Sequence, residues 1–147
     1  MKSVFYEFDP VLYPCTILVS KIFNPSELDG QFWVINTDNE CVEPLNDVFH
    51  LPVRCMARTI EVCSKTSGMR YVMVLLNHPE QIGNGILAHE AYHAANMIAE
   101  GLGFFPEKMT QDEPCAYLIQ WIANCLGSVL ENKPAMMKGT RFKNEDE

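Results

Sequence analysis

Two histidines and a glutamate occur close together in the sequence at a spacing that suits metal chemistry. Residues 89–93 read His-Glu-Ala-Tyr-His. On a helix, positions four apart share one face with Cβ atoms about 5–6 Å apart, so the imidazoles of His89 and His93 can bind one zinc ion at about 2.0–2.1 Å. Glu90 can then accept a proton from a water molecule bound to that ion. The pattern therefore predicts zinc ligation by the two histidines.

The residues around the motif predict that it lies on a helix. Pro79 suits a first turn, although Gly83 and Gly85 weaken the early turns and allow a start near Asn84 instead. Gly101 is typical of a helix end. One narrow stripe of this helix contains Ile82, Ile86, His89, His93 and Met97, and the opposite side carries Ala91, Ala95 and Ala99. The pattern predicts that both histidines lie in the middle of the buried face.

Two interpretations of these histidines compete. A single histidine on an apolar helix face is most often a core residue hydrogen-bonded to a neighbour. Two histidines at the ligand spacing, with a carboxylate beside them, favour a metal site. Burying three such polar groups without a common partner would cost on the order of several kcal/mol.

A catalytic zinc ion needs a third protein ligand. The three-histidine arrangement requires a glycine and a histidine at positions occupied here by Asn96 and Ala99, so it is excluded. A carboxylate from a following helix is the next candidate. Glu113 comes twenty residues after His93, at the start of a second segment with one apolar face. Asp112 is the alternative ligand.

Glu113 has a competing structural interpretation. Thr110 and Glu113 have the spacing of a capping box, in which the glutamate serves the backbone at the helix start. Pro114 argues against it, because a proline fits better at the first helical position, which makes Glu113 the cap itself. Glu100 lies too far along the first helix for direct ligation and is expected to act as an acceptor behind the ligands.

These residues resemble the gluzincins, zinc peptidases in which H-E-x-x-H is followed by a zinc-binding glutamate on a second helix. The matching residues are His89, Glu90, His93 and Glu113. The resemblance covers residues 79 to about 130 and looks most like the minimal minigluzincins, in which a small sheet precedes the two helices. It implies a zinc metallopeptidase that cleaves peptide bonds with Glu90 as general base. It also implies that the strand over residues 70–76 borders the cleft and can pair with an extended substrate.

The oxyanion of the reaction usually needs a further donor. Tyr117, one turn after Glu113, is the first candidate, followed by His78 and Tyr92. A competing hypothesis is a zinc-stabilised binding protein without chemistry, in which the metal contributes on the order of 10 kcal/mol to folding. Glu90 argues against it, because a purely structural site does not need that carboxylate. A third interpretation treats the motif as coincidence without metal.

Length and charge restrict the remaining possibilities. The chain has 147 residues, the usual size for one core, and 48% of them are hydrophobic. A formal charge of −8 without a basic cluster argues against nucleic acid and anionic membranes as partners. No apolar run is long enough for a bilayer, and Glu7 and Asp9 interrupt any secretory signal. The six cysteines are therefore expected to be reduced thiols in a cytoplasmic protein.

The first half of the chain reads as strands. Apolar runs cover residues 15–22, 31–36, 54–64 and 70–76, with a loop over 38–52. Ser67 and Gly68 predict an antiparallel hairpin between the last two runs. Strands followed by helices predict an α+β fold with about three to four antiparallel strands packed against two C-terminal helices. We expect one domain over residues 1–132, mainly β over 1–77 and helical over 78–131, followed by a mobile charged tail over 133–147.

Overall fold

The computed structural model describes residues 1–45, 47–103 and 113–143, in which most strands precede the two long helices. The strands are β1 (Val4–Phe8), β2 (Thr16–Ile22), β3 (Phe32–Ile35), β4 (Cys41–Val42), β5 (Ala57–Ser64), β6 (Arg70–Leu76) and β7 (Thr140–Arg141). The helices are α1 (Pro25–Gln31), α2 (Asn84–Gly101) and α3 (Glu113–Leu130). Within these described ranges, 3₁₀ turns span Pro79–Gln81 and Pro134–Met137.

The strands form one mixed sheet of seven strands in the order β4-β3-β5-β6-β2-β1-β7. Strand β2 runs parallel to β6, with Ile17 opposite Val72, and the other neighbours in the described residues run antiparallel. The expectation of a small antiparallel sheet of three to four strands is therefore wrong. Strands β4 and β7 have two residues each, too few to produce a recognisable pattern.

The four strands expected from their apolar runs are confirmed: β2, β3 and β5 have shorter bounds, and β6 has the expected ones. The hairpin is confirmed as well, since β5 and β6 pair antiparallel from Ala57 opposite Leu76 to Cys63 opposite Arg70. The C-terminal tail was expected to be mobile, but residues 134–141 form regular structure. There the chain forms a 3₁₀ turn and then β7, which pairs with β1 through Tyr6 and Arg141.

Both faces of the sheet are covered, which explains the nearly continuous apolar sequences of β2 and β6. Helices α2 and α3 cover one face, where they pack on Ile17, Val19, Val72 and Val74. On the other face Leu18 and Met73 pack with α1 and with the loop that carries Phe49. The motif helix therefore lies on a rigid central sheet.

The orientation of α2 differs from the one predicted by the apolar stripe. Its buried residues are Glu90, Ala91, Ala94, Ala95, Ile98 and Ala99, whereas His89 and His93 are exposed. The prediction that the histidines lie in the middle of the buried face is wrong. Small alanine side chains let α2 approach both the sheet and α3 closely, and this close packing outweighs the larger side chains of Ile86 and Met97, which are only half-buried.

Strand β6 also lies in a different place from the one that the resemblance implies. It has β5 on one side and β2 on the other. Both of its backbone edges are therefore paired, and an extended substrate cannot add to it. The expectation that residues 70–76 pair with substrate is wrong.

Candidate metal and catalytic site

The imidazoles of His89 and His93 meet on the exposed face of α2. Their Nε2 atoms are 3.1 Å apart, and the ring centroids are 4.7 Å apart with the planes at 76°. At zinc–nitrogen distances of about 2.0–2.1 Å, this separation corresponds to an angle of about 100° at the metal, close to the tetrahedral value. The same separation allows an N–H···N hydrogen bond between two neutral rings. The pair fits two positions of a zinc coordination sphere.

Glu90 follows His89 on the flank of α2 that faces β5. Glu90 is buried, with 6% of its surface exposed. The hydroxyl of Thr59 donates to its Oε2 over 2.5 Å and lies 3.4 Å from its backbone oxygen. The carboxylate is thus held against the sheet, whereas the two histidines are exposed. Sequence reasoning missed Thr59, because nothing near that residue in the sequence indicates a partner on a distant helix.

A cleft of about 420 Å³ opens beside this hydrogen bond, between the C-terminal half of α2 and the turn that follows β3. Thr59 lines it, as do Met97 and Glu100, which lie one and two turns beyond His93. Burial and the nearby negative charge of Glu100 raise the pKa of Glu61, which also lines the cleft. Glu100, expected to support the zinc ligands, therefore faces another carboxylate here. Thr59 lines this cleft, whereas Glu90, His89 and His93 do not.

Glu113 and Tyr117 lie away from the histidine pair. Both are exposed on α3 and line a second cleft of about 450 Å³, together with Tyr13 and Trp121, and neither histidine lines it. Helices α2 and α3 are antiparallel neighbours in which Leu87 lies against Gly127. From the rise of 1.5 Å per residue, Glu113 lies roughly 12 Å further along this pair than His93. The structure therefore does not bring Glu113 to the histidine pair.

The other candidates are placed as follows. The ring of Tyr92 lies beside that of His93, with centroids 6.3 Å apart. The Nε2 atom of His78 is 2.6 Å from the backbone oxygen of Val53. Asp112 and Thr110 lie outside the described residues. Within residues 1–45, 47–103 and 113–143, no three side chains of the His, Cys, Asp or Glu type are arranged to hold a metal ion.

Two general properties accompany this site. None of the helices in the described parts of the chain is long and apolar enough to cross a membrane. All six cysteines are free thiols.

No family model matches the chain, and neither a curated protein nor a solved structure shows significant similarity to it.

Proposed function

We propose that this protein is a zinc-dependent hydrolase that cleaves peptide bonds, with His89 and His93 holding the metal ion. The observation that supports this most is the 3.1 Å separation of the two Nε2 atoms on an exposed helix face. When bound, zinc would lower the pKa of its water to about 7 and polarise the substrate carbonyl. A peptide or protein is the proposed substrate, and Tyr117 remains the proposed donor to the oxyanion.

Glu90 is the proposed general base. Its carboxylate is next in sequence to His89 and is held by Thr59, so its position relative to the histidines is restricted. It would take a proton from the attacking water and pass it to the leaving amine.

Glu113 is the proposed third ligand, on the basis of its spacing from His93 and its exposed carboxylate. Because Glu113 lies roughly 12 Å further along the packed helix pair than His93, ligation by Glu113 would require α3 to shift along α2.

A second candidate function is a zinc-stabilised binding protein that performs no hydrolysis. The observation that favours it is the placement of Glu90, whose carboxylate is buried against Thr59 as in a structural hydrogen bond. In either case the six free thiols support our proposal of a reducing, cytoplasmic environment.

Metal analysis and one substitution separate these functions. The protein is purified without chelator, its zinc content is measured, and cleavage of a mixed peptide library is followed by mass spectrometry. We expect about one zinc per chain, cleavage by the natural protein, and a Glu90→Gln variant that keeps zinc but loses cleavage. Glu131→Gln, an exposed glutamate beyond α3, is the matched control and should retain activity.

Other results of this experiment would favour the second function or contradict the proposal. Zinc without cleavage would favour the binding protein. Cleavage by the Glu90→Gln variant would remove the proposed base. A protein without zinc would contradict both functions.

A further inference from the structure

Three aromatic side chains line the cleft of about 450 Å³ between the start of α3 and the loop after β1. Tyr13 and Trp121 are half-buried, because both also pack on the core beneath α3. Tyr117, one turn before Trp121, is exposed. The core therefore holds two of the rings in place, and the third stands open to solvent beside them.

The loop after β1 presents apolar side chains next to this cleft. Leu12 lines the cleft and is 85% exposed, and the neighbouring Val11 is 84% exposed. Val11 has a φ of 61°, in the left-handed region that β-branched residues rarely adopt. Its backbone amide donates to Oδ1 of Asp9, which holds the turn. Strained backbone of this kind clusters where proteins bind ligands.

The polar groups of the three rings are available to a ligand. Among residues 1–45, 47–103 and 113–143, none accepts a hydrogen bond from the phenols of Tyr13 and Tyr117 or from the indole of Trp121. The indole of Trp33, in contrast, donates to Glu43 over 3.3 Å. Half-buried tyrosine and tryptophan residues usually pair their polar ends. The cleft thus offers donors to a ligand with free acceptors, such as the backbone carbonyls of a peptide.

The walls of the cleft select the conformation of such a peptide. A β-strand needs a free sheet edge, whereas a helix and a loop form these walls. A helical peptide uses its own carbonyls internally, so it would leave the ring donors without acceptors. A polyproline II segment keeps its carbonyls free, and proline-rich segments dock in aromatic-lined grooves. At about 3.1 Å per residue, about four residues of it span the roughly 12 Å from Glu113 to Trp121 along α3.

The charge at the cleft selects the sign of the partner. Among the described lining residues Glu113 is acidic and none is basic, and the exposed Asp9 precedes Pro10 of the lining. The whole chain has a formal charge of −8. A second copy of this chain would bring the same charge to the cleft, which disfavours it as the occupant. A basic side chain would instead be attracted to Glu113.

We propose that this cleft binds a proline-rich peptide segment that carries a basic residue near one end. The prolines lie on the rings of Tyr13, Tyr117 and Trp121. The indole N–H of Trp121 donates to a peptide carbonyl, and the basic side chain pairs with the carboxylate of Glu113. This binding needs no metal and goes beyond the proposed hydrolase function.

The test follows the indole N–H resonances of the full-length, nitrogen-15 labelled protein by NMR. The probe is a peptide of one arginine followed by about eight prolines, which form a polyproline II helix. Chelator is present, because ligation of zinc by Glu113 would withdraw its charge from the cleft. The Trp121 resonance is assigned by its loss in Trp121→Phe. We expect it to shift and saturate, while the resonance of Trp33, in β3 near the other end of the sheet, stays in place.

Substitutions measured by isothermal titration calorimetry separate the ring and the charge. Tyr117→Ala removes an exposed ring without disturbing the core and should weaken binding about tenfold. Its matched control is Tyr92→Ala, an exposed tyrosine of α2 that does not line this cleft, which should leave affinity unchanged. Glu113→Gln should weaken binding about two- to fivefold, as for an exposed charge pair, and Glu131→Gln should have no effect.

Four results would overturn the proposal. The first is a Trp121 resonance that does not move. The second is equal affinity for a peptide headed by glutamate, and the third is equal affinity for an arginine peptide built of glycine and serine, which lacks the polyproline II conformation. The fourth is a shift with protein concentration alone, which would assign the cleft to a second copy of the chain. None of them changes zinc content or peptide cleavage, so the proposed hydrolase function stands or falls separately.

Discussion

The Nε2 atoms of His89 and His93 lie 3.1 Å apart although neither ring is packed in the core. Both side chains belong to one helix and are separated by one turn. Their convergence therefore depends on α2 alone and not on the arrangement of distant parts of the chain. If the pair binds a metal ion, both imidazoles are in position as soon as the helix has formed.

The first prediction concerns metal affinity. Replacing either histidine by glutamine should weaken zinc binding on the order of 100-fold or more, because removing a ligand costs at least as much as removing a residue that supports one. Competition with a chelating dye measures this affinity. His50→Gln is the control, since His50 contacts Asp29 on a different part of the surface and should leave affinity unchanged. Equal affinity in all three variants would exclude the pair as ligands.

The second prediction concerns the third ligand. Glu113→Gln should weaken zinc binding by a similar factor, and Asp112→Asn should have little effect. The reverse result would assign the role to Asp112. An unchanged affinity in both variants would mean that neither carboxylate completes the site, and would favour the arrangement in which Glu113 stays beside Tyr13 and Trp121.

The third prediction tests the orientation of α2. Ala91 is fully buried, so Ala91→Leu should overpack the core and lower the free energy of unfolding by about 1–3 kcal/mol. Ala88→Leu places the same side chain at an exposed position of the same helix and should change this free energy by less than about 0.5 kcal/mol. Urea denaturation measures both. A larger loss of stability in Ala88→Leu than in Ala91→Leu would instead support burial of the helix face that the apolar stripe predicts.

The fourth prediction concerns thiol reactivity. Burial raises the pKa of Cys125 to about 12, and burial with a hydrogen bond to Cys41 raises that of Cys63 to about 11. At pH 8 the reactive thiolate of Cys125 is then roughly 10⁻⁴ of the total. Iodoacetamide followed by peptide mass spectrometry should modify the exposed Cys41 first and Cys125 last.

The same shift predicts how stability depends on pH. The folded state holds the Cys125 proton more tightly than the unfolded chain, where the thiol has its ordinary value of 9.0. This contribution to stability is complete below that pH and is lost as the pH rises toward 12. We therefore expect the melting temperature to fall through this alkaline range. Replacing Cys125 with alanine should reduce the slope of that fall.

Part of the fold and site follows from local sequence rules. The convergence of His89 and His93 needs only helical spacing, so the motif predicts it. Helix α1 also has a local signal, because Asn24 caps it by accepting from the backbone of Ser26, and Pro25 occupies its first turn.

Other features depend on packing that no local pattern contains. Ala91 and Ala94 are strong helix formers, but their positions in the sequence do not indicate which side of α2 packs in the core. The partnership of Thr59 with Glu90 arises only when the helix docks on the sheet. The parallel contact of β2 with β6 is equally non-local.

That parallel contact has a kinetic consequence. Strands β1 and β2 form one local unit and β5 and β6 another, and Ile17 must find Val72 before the sheet becomes continuous. Closing such a long loop makes folding slow, in the range of milliseconds to seconds that is typical of non-local strand pairing. Until the two units join, each exposes an unpaired apolar edge. Refolding at high protein concentration should therefore produce aggregates, and dilution should restore the yield.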